Sequence, residues 1–228
     1  MADQLSIVGT IILMMIVDFK RMAVEFKNFF APGSTQSFPA LNIAENKLFE
    51  ADERFEFNVI ADKDWSHTDS VQAYYRHSKN LHEIGIRESV YDKARNGDRT
   101  SLCSIAHEIS HWGLINYFKF DFSADVINKL DPISRSIFIQ IHENIADLLT
   151  SLLVFSEEEL IKAHGAGGPD CSSGLSKNQI SLASFYCQNH EFFLQNFLNQ
   201  YAPKLAAQKQ EAGGIEEWQK NKLPFNWR

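Results

Sequence analysis

Residues 101–114, which read SLCSIAHEISHWGL, constrain the fold of this chain more than any other stretch. Apolar side chains recur along it at helical spacing and predict an amphipathic helix; they are Leu102, Ile105, Ile109 and Trp112. His107 and His111 lie one helical turn apart, so both imidazoles leave the same side of that helix. His107 lies about 200° round the helix from Ile105. We therefore expect the histidine pair to face a cleft, opposite the buried stripe.

The same stretch contains the pattern H-E-x-x-H, with Glu108 directly after the first histidine. Two imidazoles one turn apart can bind a single divalent cation. A neighbouring carboxylate can take a proton from a water bound to that cation. The pattern therefore indicates a zinc site with Glu108 as general base, a chemistry typical of metallopeptidases. The alternative is a solvated polar helix face with two unrelated histidines.

A third metal ligand is expected further along the chain, because a catalytic zinc takes three protein ligands and keeps one position for water. The dipeptide Asp131-Pro132 predicts the start of another helix, with Asp as N-cap. Glu143 and Asp147 lie one turn apart on its polar face. Glu143 could be the third ligand, and Asp147 could accept a hydrogen bond from a metal-binding histidine. The alternatives to Glu143 are His142, Asp121 and Asp125.

A small sheet is expected between residues 55 and 87. Three segments there have strand-like patterns: residues 55–60, 71–75 and 82–87. A turn at residues 78–80 favours an antiparallel sheet, and an open strand edge just before the histidine helix could hold an extended peptide. Helices are expected over residues 4–30, 40–49 and 88–95, and from 176 to about 201. The predicted fold class is therefore α+β, mostly helical, with the sheet packed on the helices that carry the site.

Breaks in the pattern suggest three parts. Residues 31–37 (APGSTQS) and the glycine-rich residues 164–174 are the main breaker segments. We divide the chain into an N-terminal helix and linker (1–37), a domain that carries the candidate site (38–163), and a C-terminal helical extension and tail (164–228).

Composition and charge narrow the class of protein. The chain has 22 Lys and Arg against 29 Asp and Glu, a net charge of −7. The basic residues are scattered, which argues against direct nucleic-acid binding. Three widely spaced cysteines without C-x-x-C are typical of a reducing compartment. The apolar residues 7–17 lack the features of a signal peptide and are shorter than a membrane span of about 20 residues. We expect a cytoplasmic protein in which this run forms a buried or partner-facing helix; contact with a membrane surface is the lesser alternative.

Several blocks of the chain carry a resemblance to a known family. They are IGIRESVY at 84–91, ARNGD at 94–98, SIAHEISH at 104–111 and ENIAD at 143–147, followed by a leucine pair at 152–153. Over residues 38–199 the chain resembles the ImmA/IrrE-type metallopeptidases of bacteria, phages and mobile elements. It departs from the family pattern at Ser110 (usually Gly), at Leu102 (often Arg) and at Phe155-Ser156 (usually Met-Pro). None of these changes removes a ligand or the catalytic carboxylate.

The resemblance implies a zincin-like fold and a set of residue roles. His107, His111 and Glu143 would bind Zn²⁺, with Mn²⁺ as a possible substitute in vitro. Glu108 would be the general base and acid, and Asp147 would contact a metal-binding histidine. The family cleaves helix-turn-helix repressors, and because no such motif is evident here, the implied partner is a separately encoded repressor. The alternative is a zinc-binding module that regulates a repressor or a toxin-like protein by binding without cleavage.

Peptide hydrolysis also requires a donor for the developing oxyanion. Four residues are candidates for this donor: Arg87, Tyr91, Tyr117 and His190. The sequence does not choose among them.

Overall fold

The computed structural model describes residues 18–33, 38–78, 80–120, 128, 132–165 and 174–188. These residues form a mostly helical α+β structure with a small mixed sheet. The elements are α1 (Phe19–Phe30), α2 (residues 40–51, with a π-helical turn at Ile43–Lys47), β1 (Phe55–Ile60), β2 (Ala73–His77), β3 (His82–Arg87), α3 (Glu88–Arg95), α4 (Arg99–Trp112), α5 (Pro132–Val154), α6 (Glu157–Gly165) and α7 (Lys177–Gln188).

The sheet has β3 in the centre, parallel to β1 and antiparallel to β2. The fully antiparallel sheet expected from the sequence is therefore wrong. Successive strands do alternate in direction, but β3 pairs between the other two, so its neighbour β1 runs the same way. The predicted turn is confirmed where Ser78 N–H donates to the carbonyl of Leu81 at 2.8 Å. Because β3 is central, the edge strand near the site is β2 in the described part of the chain.

Helix α1 begins later than the sequence suggested. Asp18 has extended backbone angles (φ −80°, ψ 95°), and its carboxylate accepts a hydrogen bond from Arg21 N–H at 3.1 Å. Aspartate is a strong N-cap, since its side chain satisfies a free N–H of the first turn. The prediction of one continuous helix over residues 4–30 is therefore wrong, because a new helix begins after Asp18. The apolar residues 7–17 lie outside the described residues, and their role stays a prediction.

Helix α4 is the central helix of the described structure. Asp98 caps it by accepting a hydrogen bond from Ser101 N–H at 2.8 Å. It packs against α5, β2, α2 and α3, so side chains on most of its circumference are buried. The buried residues are Ser101, Cys103, Ile105, Ala106, Glu108, Ile109, Ser110, His111 and Trp112. The expected division into one buried and one open face is therefore wrong. Arg99 and Thr100 in the first turn are exposed, whereas His107 is only half-buried.

An aromatic cluster joins α1 to the C-terminal end of α4. The ring of Phe26 lies 5.0–6.5 Å from the rings of Phe30, Phe38, Trp112, Tyr117 and Phe118. A π-helical turn, Gly113–Tyr117, continues α4 into this cluster. A Cβ at Gly113 would lie 2.8 Å from Phe26 Cζ, so the close approach of α1 requires glycine there. The cluster holds α4 in place at the end away from its N-cap.

Helix α5 supplies the second wall of the core. A stripe of four apolar residues at four-residue spacing is buried, namely Ile137, Ile141, Ile145 and Leu149. At the end of the stripe, Leu153 is buried and Leu152 is half-buried. Its residues Arg135–Val154 meet the length and composition of a membrane-spanning helix, with a mean hydropathy of 1.3, but 56% of that window is buried inside the protein. Packing in the core accounts for the same hydropathy. The predicted cap, Asp131, lies outside the described residues.

Two capping boxes begin the last two described helices. At α6, Ser156 N–H donates to Glu159 Oε2 at 2.8 Å and Glu159 N–H donates to Ser156 Oγ at 3.2 Å. The same reciprocal bonds join Ser176 and Gln179 at α7. Helix α7 packs against α5 and α6. The expected continuation to about residue 201 and the tail lie outside the described residues.

Candidate metal centre

Helices α4 and α5 bring three candidate ligand atoms together. His107 Nε2 and His111 Nε2 are 3.0 Å apart. Glu143 Oε2 lies 3.4 Å from His107 Nε2 and 3.5 Å from His111 Nε2. These three side chains form a group whose ligand atoms all lie within 4.8 Å of one another. The structure thus brings together the three residues that the sequence proposed as ligands.

The donor set fits a divalent metal ion. In a tetrahedral zinc site with metal–donor distances of about 2.0–2.1 Å, donor atoms are separated by roughly 3.3 Å. The three observed separations, 3.0, 3.4 and 3.5 Å, lie close to that value. The side chain of Glu143 is 51% exposed, so the group is open to solvent on one side. Two imidazole nitrogens and one carboxylate oxygen could therefore hold Zn²⁺ and leave room for a water.

His107 meets Asp147 through its other ring nitrogen. Nδ1 lies 3.0 Å from Asp147 Oδ1, a close contact that does not meet the criteria of a hydrogen bond. A carboxylate at Nδ1 favours the N–H on that nitrogen and leaves the lone pair of Nε2 free for a metal. Asp147 thus lies where the sequence expected it, beside a candidate ligand.

His142, weighed from the sequence as an alternative ligand, contacts His111 on the other side of the ring. His142 Nε2 lies 3.2 Å from His111 Nδ1, whereas Glu143 approaches His111 Nε2. Among the described alternatives, Glu143 and not His142 joins the group. The sequence suggested His142 only because it is adjacent to Glu143. Its contact with His111 depends on how α4 and α5 pack, which the sequence pattern does not show. Asp121 and Asp125 lie outside the described residues.

The charges around His107 favour a positive centre. Burial lowers the pKa of His107, but the carboxylates of Asp147 and Glu143 outweigh it and raise the pKa to about 10. Burial raises the pKa of Glu143, but hydrogen bonds with His107 and His111 bring it well below its usual range. Burial and the charge of His111 hold the pKa of His142 well below its usual value, so His142 is neutral. Two carboxylates thus stabilise positive charge, from a proton or a metal ion, at the histidine pair.

Glu108 is buried beside the histidines. Burial raises the pKa of its carboxyl group, against the opposing charges of His111 and His107. The backbone N–H of Tyr75 on β2 faces this carboxylate and acts to lower its pKa. The ring of Tyr75 also lies parallel to that of His111, with centroids 6.4 Å apart and an interplanar angle of 5°. Sequence reasoning missed Tyr75, because nothing near it in the chain marks its approach to α4.

The oxyanion candidates have other contacts in the structure. Tyr91 donates to Glu45 Oε1 at 2.7 Å, and Arg87 lies 3.1 Å from the carboxylate of Asp62. Tyr117 belongs to the aromatic cluster. His190 lies outside the described residues. None of the four gains support as an oxyanion donor, so their role stays a prediction.

Ser110, at the position where the resembled family has Gly, lies in the buried interface of α4 and α5. Its hydroxyl donates to Ala106 O at 2.9 Å and lies 2.9 Å from Thr150 Oγ1 on α5. Both hydroxyl groups are satisfied, so burial of this pair carries little cost. The departure from glycine therefore leaves the arrangement of the histidines intact.

The chain was compared with protein-family models, with curated proteins and with solved structures, and nothing in any of the three matches it.

Proposed function

We propose that this chain is a zinc-dependent metallo-endopeptidase, with His107, His111 and Glu143 as metal ligands and Glu108 as general base and acid. The observation that carries the proposal is the convergence of two imidazole nitrogens and one carboxylate oxygen within 4.8 Å. The H-E-x-x-H pattern and the family resemblance of the sequence add support. Mn²⁺ is a plausible substitute for Zn²⁺ in vitro.

The chemistry follows from the residues beside the metal ligands. A bound zinc ion would polarise a substrate carbonyl and lower the pKa of water from 15.7 towards about 7. Glu108 takes a proton from the attacking water and returns it to the leaving amine. Burial raises the pKa of Glu108, which brings its proton affinity closer to that needed near neutral pH.

The open edge of β2 favours a peptide as substrate. Arg87 N–H donates to Gln72 O at 3.2 Å, which makes this a hydrogen-bonded pair. The alternation of an antiparallel ladder then directs the main-chain groups of Ala73 and Tyr75 away from β3, where the N–H of Tyr75 faces Glu108. An extended segment could pair with the other main-chain groups of this edge and bind largely independently of its sequence. We propose a cytoplasmic protein substrate, a separately encoded helix-turn-helix repressor, as the family resemblance implies.

The proposal is tested by comparing cleavage of that repressor by the wild type and by a Glu108→Gln variant. The purified chain is incubated with Zn²⁺ or Mn²⁺ and the repressor encoded beside it, and the products are resolved by mass. We expect two discrete fragments with the wild type and a rate reduced by about 10²–10⁴-fold with the variant. Metal and repressor binding should be retained, because Gln preserves the shape of Glu108.

The matched control is Glu157→Gln, which changes an exposed carboxylate paired with Lys20 and should cleave like the wild type. Equal cleavage by the Glu108→Gln variant would remove the proposed base. If the wild type binds metal and repressor but releases no fragments, the chain is a binding module and not a peptidase.

A further inference from the structure

Gln179, in the first turn of α7, reaches the surroundings of the candidate metal centre. Its Nε2 donates to Asp147 Oδ1 at 2.6 Å. That same oxygen lies 3.0 Å from His107 Nδ1. A line of contacts therefore runs from α7 through α5 to a candidate metal ligand on α4.

The side-chain amide of Gln179 is used at both ends. Its Oε1 accepts a hydrogen bond from Ser176 N–H at 2.8 Å, as part of the capping box of α7. The orientation of the amide follows from these partners. A flipped amide would place its oxygen against the carboxylate of Asp147 and its NH₂ group against the N–H of Ser176. Both contacts would be repulsive, so Nε2 must face Asp147.

The residue type is specific to this double role. A capping box accepts either Glu or Gln at this position. A carboxylate could accept from Ser176 N–H, but it would face the carboxylate of Asp147 and repel it. Among the two residues that complete the cap, only Gln supplies an acceptor and a donor at once. The choice of Gln is therefore unexplained by capping alone and is explained by Asp147.

We infer that Gln179 is a positioning residue for the metal centre, which acts by holding the carboxylate of Asp147 against His107. The inference rests on the proposed metal site. The side chain of Asp147 is 25% exposed, so without a second partner its carboxylate is free to turn towards solvent. When Gln179 holds the Asp147 carboxylate, that carboxylate keeps the proton of His107 on Nδ1. The lone pair of Nε2 is then available at the position that His107 shares with Glu143 and His111. Packing of α7 thereby contributes to metal affinity.

The test is the zinc affinity of Gln179→Met, measured on the full chain by competition with a chromophoric chelator. Methionine keeps the length of the side chain, adds no charge and removes the donor. Removing a direct partner of a metal ligand typically costs about 10–100-fold in affinity, so one contact further out we expect roughly threefold to tenfold. Ser176→Ala is the matched control, because it weakens the same capping box but leaves Nε2 of Gln179 on Asp147. Its zinc affinity should equal that of the wild type.

A double-mutant cycle with Asp147→Asn separates positioning from general destabilisation. If Gln179 acts through Asp147, then Gln179→Met should have no further effect on zinc affinity in the Asp147→Asn background. Additive losses, an equal loss with Ser176→Ala, or wild-type affinity with Gln179→Met would overturn the inference. Should Gln179→Met fail to fold, Gln179→Glu keeps the capping acceptor and is measured in the same cycle. A wild type without zinc affinity would remove the proposed function and this inference together, whereas wild-type binding with an unaffected Gln179→Met removes the inference alone.

Discussion

Two histidine–aspartate pairs in this molecule have different surroundings. His82 on β3 contacts Asp52, their side chains are 1% and 9% exposed, and His82 Nε2 is buried without a hydrogen-bond partner among the described residues. His107 on α4 contacts Asp147, and its Nε2 faces His111 and Glu143. The histidine of the first pair is buried in the core. The histidine of the second pair lies at an opening, beside two further candidate metal ligands. A histidine beside a carboxylate therefore does not define a metal site by itself.

The difference comes from the secondary structure that carries each histidine. On the sheet, the neighbour of His82 is His77 on the adjacent strand, and their rings stack with centroids 4.6 Å apart and an angle of 15°. Stacked rings direct their nitrogens along parallel planes and not at a common point. On α4, the rings of His107 and His111 meet at 87°, and their Nε2 atoms lie 3.0 Å apart. Helical spacing makes the nitrogens converge.

The largest expected effect is the loss of metal binding in Glu143→Ala. Removing a ligand should reduce zinc affinity by more than the roughly 100-fold that marks the upper range for outer partners. Isothermal titration with Zn²⁺ measures it, and Glu157→Ala, an exposed carboxylate on α6, serves as control. If Glu143→Ala binds zinc like the wild type, Glu143 is not a ligand, and the pair of His107 and Asp147 is not distinguished by a metal site.

The second effect compares the two aspartates directly. Asp147→Asn should weaken zinc binding by about 10–100-fold, because Asn cannot orient His107 as a carboxylate does. Asp52→Asn should leave zinc affinity unchanged, since Asp52 contacts His82 and not the candidate ligands. Both are measured by chelator competition at neutral pH. An equal loss of affinity in both variants would mean that the sheet pair also supports the metal.

Asp147→Asn should have the larger effect on zinc affinity, but Asp52→Asn should have the larger effect on the free energy of unfolding. With a chelator present, Asp52→Asn should lower the free energy of unfolding by about 1–3 kcal/mol, because it weakens the hydrogen bond of a buried histidine. Asp147→Asn should cost less than Asp52→Asn, because the side chain of Asp147 is 25% exposed and the amide oxygen of Asn can still accept from Gln179. Urea unfolding followed by circular dichroism gives both values. A larger cost for Asp147→Asn would make its pair the structural one.

The smallest effect is the pH dependence of that stability difference. Burial raises the pKa of Asp52, but hydrogen bonds from His82 and Arg54 outweigh it, and the pKa is lower than its usual 3.8. The unfolded chain therefore binds the proton first as the pH falls. The contribution of Asp52 is complete above about pH 4 and is lost as the pH falls through the lower, folded pKa. Unfolding curves of the wild type and Asp52→Asn should converge below pH 4, and a constant gap would contradict a stabilising role for the ionised carboxylate of Asp52.

Local features of the fold were predictable from the sequence. Strands β1 and β3 and helix α3 have the predicted bounds, and both capping boxes form. Alternation and capping depend on residues a few positions apart, so short windows contain the necessary information. The break at Asp18 was missed because the apolar residues before it extend the helical pattern across the cap. The strand order was missed because β1 pairs with β3, the strand after next in the sequence, and β2 lies between them in the chain.

The candidate site divides in the same way. The pairing of His107 with His111 follows from helical geometry alone, and so does the common face of Glu143 and Asp147. Spacing within one helix has a fixed distance and angle, which the chain itself determines. The meeting of the two faces, the contact of His142 with His111 and the hydrogen bond from Gln179 were decided by tertiary packing. They join residues about one-seventh of the chain apart, and such distances depend on how whole helices pack, which no local pattern records.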